Sequence, residues 1–365
     1  MKLATFTHGG TTRIGVVAGD SIIDLAAAAP ELPREMAAFL AAGPSALDRA
    51  RKAASAGAHG ISVAQIKFEA PVLHPPEFLA IGLNYADHIE ESKMKRPEFP
   101  LFFNKQSTCV TGPHDPIHLP RVSSALDYEG ELGFVIGRRC RHVPRDRAHE
   151  VIAGYVVVND VSVRDWQFKA QTMTLGKSFD THGPIGPWIV TPDEVGDPHT
   201  LELKTFVNGE LRQHSNTRHL VFDCYAQVET LSTVCTLMPG TVVSNWGVSL
   251  GKASRASLVN CTPPLSFGRP LSSRSDGSGV APSDSTKPRG AAEPMRAMTR
   301  LHGSLLSPSG VSMVIQPSSI LEGLASLRME MRPAFCASIR SSTLAALALE
   351  KSLERLTRVT TLPCT

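Results

Sequence analysis

Residues 126–137 read LDYEGELGFVIG. Glu129 and Glu131 stand two apart at the head of an apolar run that closes on Gly137. Residues two apart in a strand point to the same face, so this spacing sets two carboxylates side by side. Such a pair repels unless a cation, a proton or a basic side chain intervenes. A hard divalent ion bound by oxygens satisfies it. A Glu-x-Glu step alone is ordinarily a solvated strand face, so its neighbours decide the reading.

Working outward, AGYVVVND (residues 153–160) is a second apolar run that ends on Asp160. With Glu129 and Glu131 this acid makes an all-oxygen triad, which suits Mg²⁺ or Mn²⁺ better than zinc. The alternative is that Asp160 caps the following turn, VSVRD. Upstream, NYADHIEE places His88 and Glu91 three apart on an expected helix, where they are neighbours. A carboxylate beside an imidazole fixes its tautomer and raises its basicity, which builds a general base for water. The alternative is an exposed pair on a polar helix. Downstream, TLGKSFDT carries Lys177. Its Gly-Lys-Ser triplet is no phosphate loop, because Gln171 stands where the first glycine is required. A lysine among apolar residues stabilises an oxyanion or enolate; a surface lysine is the alternative.

Composition sets the frame for these motifs. The 365 residues suggest one large domain or two, and 42% hydrophobic with 19% charged residues allow a sizeable core. A net charge of +3 is too small to point to nucleic acid or a membrane surface. Seven scattered cysteines without a Cys-x-x-Cys pair argue against a zinc ribbon and a disulfide framework. With no secretory or membrane-length apolar segment, the expectation is a soluble, cytoplasmic protein.

Three zones follow. Residues 1–70 read as a small accessory module, with strands at MKLATFTH and TTRIGVVAGDSIIDL turning at Gly9-Gly10, then two short helices. Residues 71–243 are dense in short apolar runs bounded by Gly, Pro, Asn and Asp. Short helices are expected at NYADHIEESK and FDCYAQVETLSTV. The absence of regular strand–helix alternation predicts an α+β fold. Residues 244–365 turn rich in Ser, Pro, Gly and Arg, and read as a mostly irregular tail. Within it, SILEGLASLRMEMR and STLAALALEKSLERLTRV have helical spacing.

The order of these signals resembles the fumarylacetoacetate hydrolase superfamily, in its branch that acts on acylpyruvates and oxaloacetate. The matching stretches are LAIGLNYADHIEES, PLFFNKQSTCVTGP, LDYEGELGFVIGRR, AGYVVVNDVSVRDWQ, LGKSFDTHGPIGPWIV, VNGELRQHSNTRHLVF and LMPG. The resemblance implies a mixed β-roll and a homodimer. It implies Glu129, Glu131 and Asp160 as ligands of Mg²⁺ or Mn²⁺, and His88 with Glu91 as a dyad on a lid. Lys177, Arg164 and Gln167 are implied as polar groups lining the site. The implied activity is cleavage of a carbon–carbon bond in a small β-keto acid, by hydrolysis or decarboxylation, through an enolate held by the ion. The other expectation is a catalytically impaired relative that serves as a binding protein. It rests on a break after Gly240, where the family's Gly-Thr-Pro turn is replaced by TVVSNWGVSLGK. A change of reading frame or exon near Val243 is the expected cause.

Overall fold

The apolar runs on either side of the paired glutamates form the centre of a large sheet. In the computed structural model, Gly130–Ile136 pairs antiparallel with Ile152–Asn159 on one edge and with Val242–Asn245 on the other. The structure describes residues 1–245, 311–317 and 327–329, all within one compact unit. From Val242–Asn245 the sheet continues in parallel to Phe78–Gly82 and then to Leu101–Lys105. From Ile152–Asn159 it continues through Ile189–Val190 to the N-terminal strands Lys2–His8, Thr11–Ala18, Ser21–Asp24 and Gly60–Ser62. Gly9 and Gly10, at φ of +56° and +75°, make the expected hairpin turn.

Every residue of Gly130–Ile136 is buried, because both faces of this strand are covered. Leu132, Phe134 and Ile136 pack on one face with Cys224, Val228 and Leu231 of the helix Cys224–Val234. Val135 packs on the other with Val156, Val158 and Val242, and with Phe39 and Leu40 of the helix Met36–Ala41. The first 70 residues therefore share both sheet and core with the middle of the chain. Truncating Phe134 to Ala would cost about 3–5 kcal/mol. Asp223 starts the long helix by accepting the amide protons of Tyr225 and Ala226.

The result is the α+β class expected, with a large mixed sheet and few short helices. Beyond Val243 the structure differs from the sequence reading in two ways. Ser244 and Asn245 continue a buried, paired strand past the point of the expected break. Further on, Val311–Pro317 pairs with Leu201–Val207, and Leu327–Met329 pairs with Val311–Pro317. The helical spacing over 319–332 is thus overridden at 327–329, where a strand partner outweighs a weak local preference. The second helical stretch, 342–359, lies outside the described residues. Among the described residues no helix is long and apolar enough to cross a membrane. Cys109, Cys140, Cys224 and Cys235 are free thiols.

Candidate metal centre

The central strand pair brings the acids together. Gly130 lies opposite Asn159, and the Asp160 amide donates to the Glu129 carbonyl at 2.9 Å. Glu129 and Asp160 thus face each other across the ladder, with Glu131 one step along the same face. All three carboxyls are fully buried, and one oxygen from each lies within 4.8 Å of the others. The Asn159 side chain fixes the turn into this strand by accepting the Glu129 amide proton at 3.0 Å.

Three cations answer three anions, unevenly. Lys177 Nζ donates to Glu129 Oε2 at 2.5 Å and to Asp160 Oδ2 at 2.9 Å. Lys105 Nζ donates to Asp160 Oδ1 at 2.6 Å, and also to the backbone oxygens of Lys177 and His182. Arg164 forks between Asp127, at 2.7 Å and 2.9 Å, and Glu129. Its Nη1 also donates to Gln167 Oε1 at 3.0 Å. Both lysine heads stand over aromatic rings, Lys177 over Phe103 and Lys105 over Phe78.

Glu131 is left without a cationic partner among the described residues. Ser244 Oγ donates to its Oε2, while Oε1 is buried with no hydrogen-bond partner. Burial, then the charges of Asp160 and Glu129, push this carboxyl well above its ordinary range. Burial also raises Glu129, against the pull of Arg164 and Lys177. Burial opposes ionisation of Asp160 too, but Lys105 and Lys177 outweigh it and hold that group low. The donor set is all oxygen, and one buried oxygen faces the cluster unsatisfied. Both observations fit a hard divalent cation held by Glu129, Glu131 and Asp160.

Lys177 reaches this cluster because of the glycine before it. A Cβ on Gly176 would lie 2.2 Å from the Gln167 backbone nitrogen, so only glycine lets the turn Thr174–Lys177 press against Arg164–Gln167. The expected helix forms at Ala86–Ser92 and carries both His88 and Glu91. His88 is buried, and its pKa falls to about 4 through burial and then the charge of Arg164. Glu91 is exposed one turn on. Both line a cleft with Tyr85, Asp87, Gln213 and Ser215. Asp87 Oδ2 accepts from Ser215 Oγ at 2.6 Å, which ties the start of this helix to the second sheet.

The structure gathers Glu129, Asp160, Lys177, Arg164 and Gln167 into one hydrogen-bonded cluster, with the Glu131 carboxyl close beside Glu129 and Asp160. Sequence reasoning missed Lys105, Asp127 and Ser244. Lys105 lies in NKQSTC, inside a stretch already singled out, but no local pattern marks it.

Comparison with known proteins places these residues in a wider group. The family model described as fumarylacetoacetate (FAA) hydrolase C-terminal matches residues 77–258. A mitochondrial oxaloacetate tautomerase of Xenopus laevis is 41% identical over 248 residues, covering 66% of this chain and 78% of the relative. The Rattus norvegicus counterpart is 40% identical over 226 residues, 62% of this chain and 72% of its own. Both are named as mitochondrial, so they do not share the expected cytoplasmic location. Among solved structures, a maleylpyruvate hydrolase from Sphingobium sp. SYK-6, in complex with manganese(II) and pyruvate, superposes with a TM-score of 0.63. It is 28% identical and covers 91% of this chain and 99% of its own.

Proposed function

Because this chain belongs to the fumarylacetoacetate hydrolase family, we propose that it is a divalent-cation-dependent enzyme acting on small 2-oxo acids. The proposed reaction moves a proton at the carbon next to the ketone, as in keto–enol exchange of an oxaloacetate-like dicarboxylate. The observation that carries this is the buried triad of Glu129, Glu131 and Asp160, with Glu131 Oε1 unsatisfied. The chemistry of the named relatives supports the substrate class.

In this reading Glu129, Glu131 and Asp160 hold Mg²⁺ or Mn²⁺. The ion supplies Lewis-acid polarisation of the substrate's ketone. Lys177, already between Glu129 and Asp160, offers its ammonium to the oxygen on which negative charge develops. Lys105 and Arg164 aim Asp160 and Glu129, and Lys105 helps to hold Asp160 low. Gln167 steadies Arg164. His88 is neutral at neutral pH, so a ring nitrogen is available to accept the substrate's proton and return it. Glu91, beside it on the cleft wall, helps to orient the ring. The helix shields the reacting atoms from bulk water. The homodimer implied by the sequence resemblance belongs to the same proposal.

A second reading, hydrolysis of a carbon–carbon bond, is favoured by the maleylpyruvate hydrolase neighbour. There His88 would deprotonate a water instead of the substrate. Two assays separate the readings: ultraviolet absorbance of the oxaloacetate enol, and release of pyruvate from acetylpyruvate, each with Mg²⁺ or EDTA. Metal-dependent enol loss without pyruvate release supports proton transfer. Release of pyruvate supports hydrolysis. No metal-dependent turnover of either substrate refutes both.

A further inference from the structure

The strand that carries the two glutamates is held by a side chain just where the ion would sit. Val242–Asn245 pairs with residues 132–135, with Asn245 opposite Leu132. One step on, no strand among the described residues pairs with Gly130 on that edge. That position is taken by a single side chain from the second sheet. Gln213 Nε2 donates to the Gly130 carbonyl at 2.8 Å, and the Gly130 amide donates to Gln213 Oε1 at 3.0 Å. The carboxamide takes the place a neighbouring peptide group would fill and satisfies both backbone groups at once. Thr205 Oγ1, from the adjacent strand, donates to the same Oε1 at 2.8 Å and so fixes which end of the amide faces which group.

We propose that Gln213 is a positioning residue for the metal centre, and this inference rests on the triad being a cation site. Gly130 is the residue between Glu129 and Glu131, so the plane and rotation of its peptide groups set how far apart the two carboxylates fall. A strand end unpaired on one edge twists freely, whereas two hydrogen bonds to one rigid amide fix it. Gln213 is buried, as are Gly130, Thr205 and both glutamates, so water cannot replace the amide without rearrangement. Gln213 also lines the cleft beside His88 and Glu91, which places the fixed strand and the wall formed by Ala86–Ser92 on one support.

The same link reaches a late strand. Thr205 lies opposite Gln213 on one side of its strand and opposite Met313 on the other. The late strand Val311–Pro317 therefore supports the strand whose Thr205 orients Gln213.

The test is Mn²⁺ binding by titration calorimetry on the full chain, with circular dichroism as a check of folding. Gln213→Ala removes both bonds and is expected to weaken Mn²⁺ at least about 10-fold, the range for residues that hold metal ligands in place. Gln213→Glu keeps the acceptor for the Gly130 amide and Thr205 and loses the donor, so it should fall between the parent and Gln213→Ala. If Gln213→Ala fails to fold, Thr205→Val gives the answer, with a smaller loss of affinity expected. Asp160→Ala is the control for the site itself. Parental affinity in the folded Gln213 variant, with binding lost in Asp160→Ala, overturns the role of Gln213 alone. Absence of Mn²⁺ binding in the parent overturns the cation site and this inference with it.

Discussion

Replacing Glu131 by Gln separates the two states of the metal centre. Lys177 bridges Glu129 and Asp160, Lys105 adds to Asp160, and Arg164 adds to Glu129, so among the described residues Glu131 is the one acid of the triad with no ion pair. Without a metal its carboxyl is raised by burial and by the neighbouring acids, and glutamine mimics the protonated form. The metal-free variant should then unfold within about 1 kcal/mol of the parent, or later, since no ion pair is lost. With Mn²⁺ at about 100 times its dissociation constant, binding stabilises the parent by about 2.7 kcal/mol. At about 2–4 °C per kcal/mol for a fold of this size, the parent should melt roughly 5–11 °C higher. The variant, short of one ligand, should lose most of that increase. Thermal unfolding with EDTA and with Mn²⁺ reads both numbers. The pH dependence has a defined sign. The folded carboxyl is raised above its ordinary 4.5, so its contribution is full below that value and is lost as pH rises through the folded value. Glu131→Gln does not titrate, so its melting temperature without metal should gain on the parent as pH increases. A metal-free variant more than about 3 kcal/mol less stable would point to a broken buried ion pair and refute the reasoning. So would an equal Mn²⁺ shift in both proteins.

Lys105→Met leaves Asp160 with a single cation and strands two buried backbone oxygens. The expected loss is about 3–5 kcal/mol, or roughly 6–20 °C in thermal unfolding, and a change below about 2 °C would exclude a supporting role. His88→Gln should lower turnover about 10²–10⁴-fold with little change in Mn²⁺ affinity, checked by steady-state kinetics and calorimetry. Parental turnover would remove His88 from the proton path.

The acids were legible because their signals are local. Glu129 and Glu131 declare themselves by strand periodicity, and Asp160 by its place at the end of an apolar run. The hairpin at Gly9-Gly10 and the helix at Cys224–Val234 were legible for the same reason. Lys105 was not, because its role depends on a strand three places across the sheet from Gly130–Ile136. No spacing within NKQSTC encodes that neighbour. Ser244 and Gln213 were hidden likewise, one past an apparent change of texture, the other in a separate sheet. Lys177 was singled out by its Gly-Lys-Ser triplet with its surroundings left open, and the structure shows what buries it: Gly176 lets its turn press against Gln167. The late strand at 327–329 shows the reverse case, where helical spacing yields to a pairing partner.

The central claim is that Glu129, Glu131 and Asp160 together hold one divalent cation. Anomalous scattering from crystals grown with Mn²⁺ measures it directly. The account predicts a strong peak in contact with carboxylate oxygens of all three residues. A map with no peak there, or with Lys177 still occupying the space between Glu129 and Asp160 at saturating Mn²⁺, would contradict it.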